Sequence, residues 1–296
     1  FTICTYTLPV HNLTQSTDHL TIQAGIDAAL TGDEIHIDPG IYVENVLVTK
    51  GLKLVGAGVG NTTIHPAASN PNPCSGSSLC GSITAASNVI GIQASDVTVQ
   101  DLTVDGDNPG LTSGIVRAGA DLDARNGIIT DHSLGLNFNN LEVHHVEVKN
   151  IYLRGMYAST NGTFNFHHNL VTNVQGDGYS IGMFAWYGPG TMADNTVSYA
   201  NDAISANHSK GIQFLNNVVT HSGSGVHTDN SGDGGGVADV IQGNTVSDCA
   251  PGGYGIWVFV AYLPPTIDQN TVTNCSVGLS AWGQGASVNQ LFTNNI

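Results

Sequence analysis

From about residue 168 onward, short runs of alternating apolar and polar residues recur, each introduced by a single asparagine. The copies read His168-Asn169-Leu170-Val171, Asp194-Asn195-Thr196-Val197, Asn216-Asn217-Val218-Val219, Gly243-Asn244-Thr245-Val246 and Gln269-Asn270-Thr271-Val272, with a partial copy at Asn294-Asn295-Ile296. The anchor asparagines follow one another at steps of 26, 22, 27, 26 and 25 residues. Self-similarity of this period marks a solenoid, whose repeats bury their apolar faces only against their neighbours. The unit holds β-type runs and no helical periodicity. The pattern therefore predicts an all-β, single-stranded parallel β-helix of about nine to eleven coils.

Ahead of the repeats the pattern changes. Apolar residues at 22, 26, 29 and 30 fit one face of a short capping helix within Leu20–Leu30, with Asp18 or Thr21 as N-cap and Gly32 as stop. Short β runs follow at 34–37, 41–43, 46–48 and 52–55, and Asp96–Val104 reads as a complete rung. The expected organisation is a lead-in, helix and first coils over 1–64, then β-helix coils over 65–296. A Pro/Ser/Gly/Cys-rich loop interrupts the coils near 65–82.

In the second strand of each coil, the alternation is expected to point Tyr179, Ile204, Val226, Ile256 and Leu279 inward. Ser180, Ser205, His227, Trp257 and Ser280 then face outward. Gly182, Asn207, Asp229, Phe259 and Trp282 form the next outward row.

The bulk composition narrows the partners. Net charge is −16, from 23 acidic and seven basic residues, so nucleic acid is excluded as a partner class for want of clustered Lys and Arg. A pocket for an acidic sugar would have to draw on Lys50, Lys53, Lys149, Lys210, Arg117, Arg125 or Arg154. No apolar run is long enough to span a membrane as a helix. Cys74 and Cys80 bracket a short loop, and Cys249 and Cys275 occupy equivalent places in consecutive repeats. Neighbouring rungs lie about 4.8 Å apart, a spacing that a disulfide spans. Two such bridges suit an extracellular or cell-surface protein and leave Cys4 unpaired.

The segments Thr21-Ile22-Gln23-Ala24-Gly25-Ile26-Asp27-Ala28-Ala29, Pro39-Gly40-Ile41-Tyr42-Val43-Glu44-Asn45-Val46 and Leu54-Val55-Gly56-Ala57-Gly58 resemble the entry of secreted right-handed β-helix proteins of the pectate-lyase-like and NosD-like superfamily. Gly40-Ile41-Tyr42-Val43-Glu44 is similar to the first signature of pectin methylesterases. The segments carrying that family's catalytic residues, Gln-Asp-Thr-Leu, Asp-Phe-Ile-Phe-Gly and Leu-Gly-Arg-Pro-Trp, have no counterpart here. The resemblance implies that the single-stranded parallel β-helix is right-handed, and it argues against esterase activity.

Candidate chemistry gathers on the second-strand face. His227, His208, Asp229, Asp202 and Asp177 are candidate acids and bases, and Arg154 is a candidate partner for a uronate carboxylate. Trp257, Trp282, Phe259, Asn207 and Tyr187 are candidate sugar-binding residues. Asp229-Asn230-Ser231-Gly232-Asp233-Gly234 resembles the start of a calcium loop, with Asp229 and Asp233 as ligands, though Val240 stands where a bidentate Glu is needed. The pairs His144-His145 and His167-His168 fall at equivalent places in consecutive coils. Strand alternation would send the members of each pair to opposite faces, so at most one of each is expected to join a metal site.

Two functions fit these features. One is an extracellular protein that binds or processes a polysaccharide, by lyase, epimerase or hydrolase chemistry. The other is a structural adhesin or fibre subunit, its residues 1–10 laid against the final coil of another copy.

Overall fold

The computed structural model describes residues 8–159, 161–229, 237–259, 263–282 and 291–296. Cys4 and Asp233 lie outside these residues. Short parallel strands wind into a β-solenoid of about nine turns. One twelve-stranded sheet forms one side, and a seventeen-stranded sheet bends to form the other two. The bend is clearest at Glu147–Ser159, a thirteen-residue strand whose first half pairs with Leu170–Val174 and second half with Ile181–Trp186.

Stacked side chains of one kind fill the interior. Val143, Phe166, Met192, Phe214, Ile241 and Ile267 lie in register down one sheet and are all buried. Met156, Met183, Ile204, Val226 and Ile256 do the same beneath the second-strand face. Tyr179 does not belong to this stack: it precedes Ile181–Trp186 and is 72% exposed, with Met183 in the inward place. The coil from Met183 to Ile204 spans only 21 residues, so a regular period misplaces that strand by four.

The repeated asparagines form a buried ladder at one corner. Asn195 donates through Nδ2 to Phe166 O at 2.9 Å and to Asn217 Oδ1 at 3.0 Å, while its own Oδ1 accepts from the Asn169 N–H and Nδ2. The pattern continues through Asn217, Asn244 and Asn270 to Asn295. The residue before each asparagine is left-handed, with φ 51 to 56° at His168, Asp194, Asn216, Gln269 and Asn294 and 70° at Gly243. That conformation turns the chain sharply enough to bury the amide that follows. Leu102 and Val146 occupy the place in earlier coils, where the preceding Asp101 and His145 are also left-handed.

At the N-terminal end, helix Ile22–Ala28 buries Ile22 and Ile26. Thr21 Oγ1 accepts from Ala24 N at 3.1 Å, which makes Thr21 the N-cap. Glu44 accepts from the N–H groups of Ile22 and Gln23, both at 3.0 Å, and Lys50 donates to the carbonyls of Ile26, Asp27 and Ala29. An anion at the first turn and a cation at the last complement the helix dipole. Strand Val10–Asn12 runs antiparallel to both Thr17–His19 and Glu34–Ile37.

Candidate functional site

Three outward columns run down the second-strand face. The first carries Asn88, Asn126, Arg154, Ile181, Asp202 and Ser224 in register. The second carries Ile129, Tyr157, Phe184, Ser205, His227 and Trp257, and the third Ser159, Trp186, Asn207, Asp229 and Phe259. Arg154 is therefore two rungs above Asp202, roughly 10 Å along the axis.

A loop between strands Thr62–His65 and Asn88–Ile92 folds over the upper part of this face. The Cys74–Cys80 disulfide, with Cα atoms 5.7 Å apart, closes it. Arg125 fastens it from below, donating to the carbonyls of Ser78 (2.9 Å), Pro71 (2.8 Å) and Ser77 (2.6 Å). Asn126 Nδ2 adds a bond to Ser78 O at 2.8 Å. Arg125 thus spends its donors on loop backbone, and burial lowers its pKa.

Between loop and sheet opens a cleft of about 430 Å³. Gly76, Ser77 and Ser78 form one wall, Tyr157, Ile181, Phe184 and Trp186 the apolar floor, and His132, Arg154, Asp202 and Asn207 the polar positions. Arg154 is only 7% exposed. Its Nε donates to Ser78 Oγ at 3.2 Å and its Nη1 to Tyr179 O, while the guanidinium lies 4.8 Å from the Phe184 ring centre. Among the described residues no carboxylate forms an ion pair with it. Burial pulls its pKa down to about 10, so it remains a cation at neutral pH. A buried charge without a counter-ion is costly, and an anion entering the cleft would relieve it.

The other candidates are distributed around this cleft. His227 lies one rung below Ser205 and stacks on Trp257 at 4.5 Å. Its Nδ1–H donates to Asp202 Oδ2 at 3.2 Å, a tautomer set by the carboxylate, and its buried Nε2 has no partner. Asp202 also accepts from Ser224 Oγ at 2.6 Å. Asn207 lines the cleft with a buried, unpartnered Oδ1. Asp177 lies outside it, accepting from Tyr152 Oη at 3.1 Å and Tyr179 N at 2.8 Å in a turn. His208 packs on Trp186 and Tyr187, and Tyr187 lines a neighbouring hollow with His132, Ser159 and Trp186. Below the cleft, Trp257, Phe259 and the exposed Trp282 continue as edge-to-face aromatics. Asp229 is half-buried beside Asn207 and Phe259 in register, and its calcium partner Asp233 is outside the described residues. Among the described residues no three His, Cys, Asp or Glu side chains are grouped to hold a metal ion.

His132 was not among the residues singled out from sequence for this site. It follows Asp131, whose carboxylate accepts from Ser133 N and Gln93 Nε2, and it opens a short 3-10 turn that brings its ring to 5.6 Å from Tyr157. Burial lowers its pKa, keeping it neutral, and its Nδ1 is buried without a partner. Tyr157 beside it is pushed up by burial. Asp131-His132 was visible in the chain, but only the fold joins it to Arg154.

Cys249 and Cys275 are bonded across adjacent rungs, with Cα atoms 4.7 Å apart. Among the described residues no helix is long and apolar enough to cross a membrane.

The right-handed β-helix region family model matches residues 187–296. No curated protein matches the chain by sequence. Among solved structures, the chain is similar to an alginate lyase from Paenibacillus sp. str. FPU-7, at 12% identity and TM-score 0.60, over 92% of this chain and 96% of that one. It is also similar to a polygalacturonase from Erwinia carotovora ssp. carotovora, at 13% identity and TM-score 0.58, over 93% and 95%. At such identities the likeness concerns the fold.

Proposed function

We propose that this right-handed β-helix protein binds an acidic polysaccharide in the cleft under the disulfide-closed loop, with Arg154 against a uronate carboxylate. The observation that carries this reading is the buried Arg154 guanidinium, which has no acidic partner among the described residues and lines an aromatic-floored cleft. Sugar rings present apolar faces that suit Tyr157, Phe184 and Trp186, and Trp257 and Trp282 extend that platform along the axis. The two solved structures above are, by their descriptions, an alginate lyase and a polygalacturonase, which supports a polysaccharide over other ligands. The two disulfides support an oxidising, extracellular setting.

The side chains favour one kind of chemistry within the class. Glycoside hydrolysis ordinarily uses two carboxylates flanking the bond, and Asp202 is the one carboxylate among the described residues lining the cleft. Removing the proton next to a uronate carboxylate needs a cation on that carboxylate and a neutral base close by. Arg154 supplies the first and His132 the second, with the Asp202–His227 pair two to three rungs below Arg154 as the further acid or base. This is the step that lyases and epimerases share.

The test compares polyuronates with neutral glycans by affinity electrophoresis, and follows formation of unsaturated sugar ends. Wild type should bind a polyuronate selectively, and Arg154→Gln should weaken binding at least tenfold while retaining a cooperative thermal transition. His132→Ala should remove turnover and leave binding in place. Equal binding of neutral glycans, or an Arg154→Gln protein that binds as wild type does, would overturn the reading.

A further inference from the structure

The disulfide-closed loop walls one side of the Arg154 cleft, and it also shuts the second-strand face off at its upper end. Its backbone is tied to the first column: Asn88 Nδ2 donates to Ile83 O at 2.6 Å, and Asn126 Nδ2 to Ser78 O at 2.8 Å. Its side chains press on the second column. Leu79 and Ile83 are buried in one apolar cluster with Ile129, Tyr157 and Phe184. At Gly91, one rung above Ile129, an added Cβ would lie 2.8 Å from Ile83 Cγ1, so loop and sheet touch and leave no passage there. On the third-column side the strand ends at Thr130, and the His132–Leu134 turn stands in the corner, capped by the buried Asp131.

Beyond this wall the face opens again into a separate hollow of about 250 Å³ over Leu47 and Gly91, which shares no lining residue with the Arg154 cleft. In the opposite direction the second and third columns run on for four rungs below Phe184 and Trp186, to Ser280 and the exposed Trp282. The wall begins at Ile129, one rung above Tyr157 in the row that holds Arg154. A rung is about 4.8 Å, so there is room above Arg154 for the sugar it holds and none for a continuing chain. We propose, on the strength of the polyuronate reading of this cleft, that the site takes the end of the chain. The terminal uronate sits at Arg154 against the Leu79–Ile83 wall, and the rest of the polymer runs down the aromatic track toward Trp282. Mid-chain segments are excluded, because their continuation would have to pass through the wall.

The test uses the intact protein and one long polyuronate in two forms, with free ends and with a bulky group coupled to both ends. Calorimetry measures the binding of each, and of a short oligouronate with free ends. The two ends of a glycan differ and the groove has one direction, so free-ended chains should bind one protein each, whatever their length. Capping both ends should weaken binding at least tenfold. Arg154→Gln, with its cooperative thermal transition retained, should bring the free-ended chain down to the level of the capped one. A capped chain that binds as well as the free one, or a ratio of protein to chain that climbs with length, would overturn the proposal and leave the polyuronate reading intact. No binding of the free-ended chain would overturn that reading and this proposal with it.

Discussion

At the scale of single residues, the same amino acid has two unrelated uses. Asparagines 169 to 295 hold the corner of the coil because an amide is both donor and acceptor, so one side chain can bond the rungs on either side of it. Asn217 donates to Met192 O at 2.8 Å and to Asn244 Oδ1 at 2.9 Å, and accepts from Asn195. It is fully buried, so no water replaces what is lost. Asn217→Ala should therefore lower stability by roughly 2–3 kcal/mol, the cost of leaving buried partners unsatisfied, measured by chemical denaturation. A loss below about 0.5 kcal/mol would mean that the ladder is ornamental to stability. Asn207, by contrast, is placed on the outward face with its Oδ1 unpartnered, where the ladder logic does not apply. The sequence distinguishes the two by spacing: ladder asparagines recur at the coil period and Asn207 does not.

At the scale of elements, the loop over 66–87 makes a cleft out of what would otherwise be an open sheet face. Its Cys74–Cys80 bridge was legible from the short bracketing spacing, and the Cys249–Cys275 bridge from the repeat register. The cleft itself was not. The loop wall is held by Arg125 and Asn126, residues 47 to 54 positions distant in sequence, and no periodicity signals such contacts. The placing of Tyr179 in the interior stack failed for a related reason: one coil is shorter than its neighbours, and a residue-counting register slips where the turn lengths change. The histidine pairs show a third limit, because alternation is a rule for extended backbone and His145 and His168 are not extended. Removing the loop's bridge with Cys74→Ser/Cys80→Ser tests how the wall is held. The β-helix should keep most of its stability, since Arg125 and the coils are untouched. Amide exchange across 71–80 should quicken, and polyuronate binding should fall severalfold. Unchanged exchange would show that Arg125 and Asn126 suffice.

At the scale of the whole molecule, the charge distribution works against the proposed ligand everywhere except in the cleft. The chain carries −16, and Lys+Arg number seven. Two of the seven are buried, Arg125 under the loop and Arg154 in the cleft wall, while Lys50 is committed to the helix C-terminus. A polyuronate approaching from solution meets a repulsive field until one of its carboxylates reaches Arg154. Added salt screens the long-range repulsion over a Debye length of about 8 Å at 0.15 M, while the buried contact is screened much less. Raising ionic strength from about 0.01 to 0.15 M should therefore leave affinity unchanged or increase it, mainly through a faster on-rate. Proteins that hold polyanions on exposed lysines and arginines show the opposite trend, because salt weakens each surface contact. The measurement is the salt dependence of association and dissociation rates on an immobilised polyuronate. A steep fall in affinity with salt would place binding on the exposed cations and away from Arg154. A flat or rising profile that Arg154→Gln abolishes would tie recognition to one buried guanidinium in an otherwise acidic solenoid.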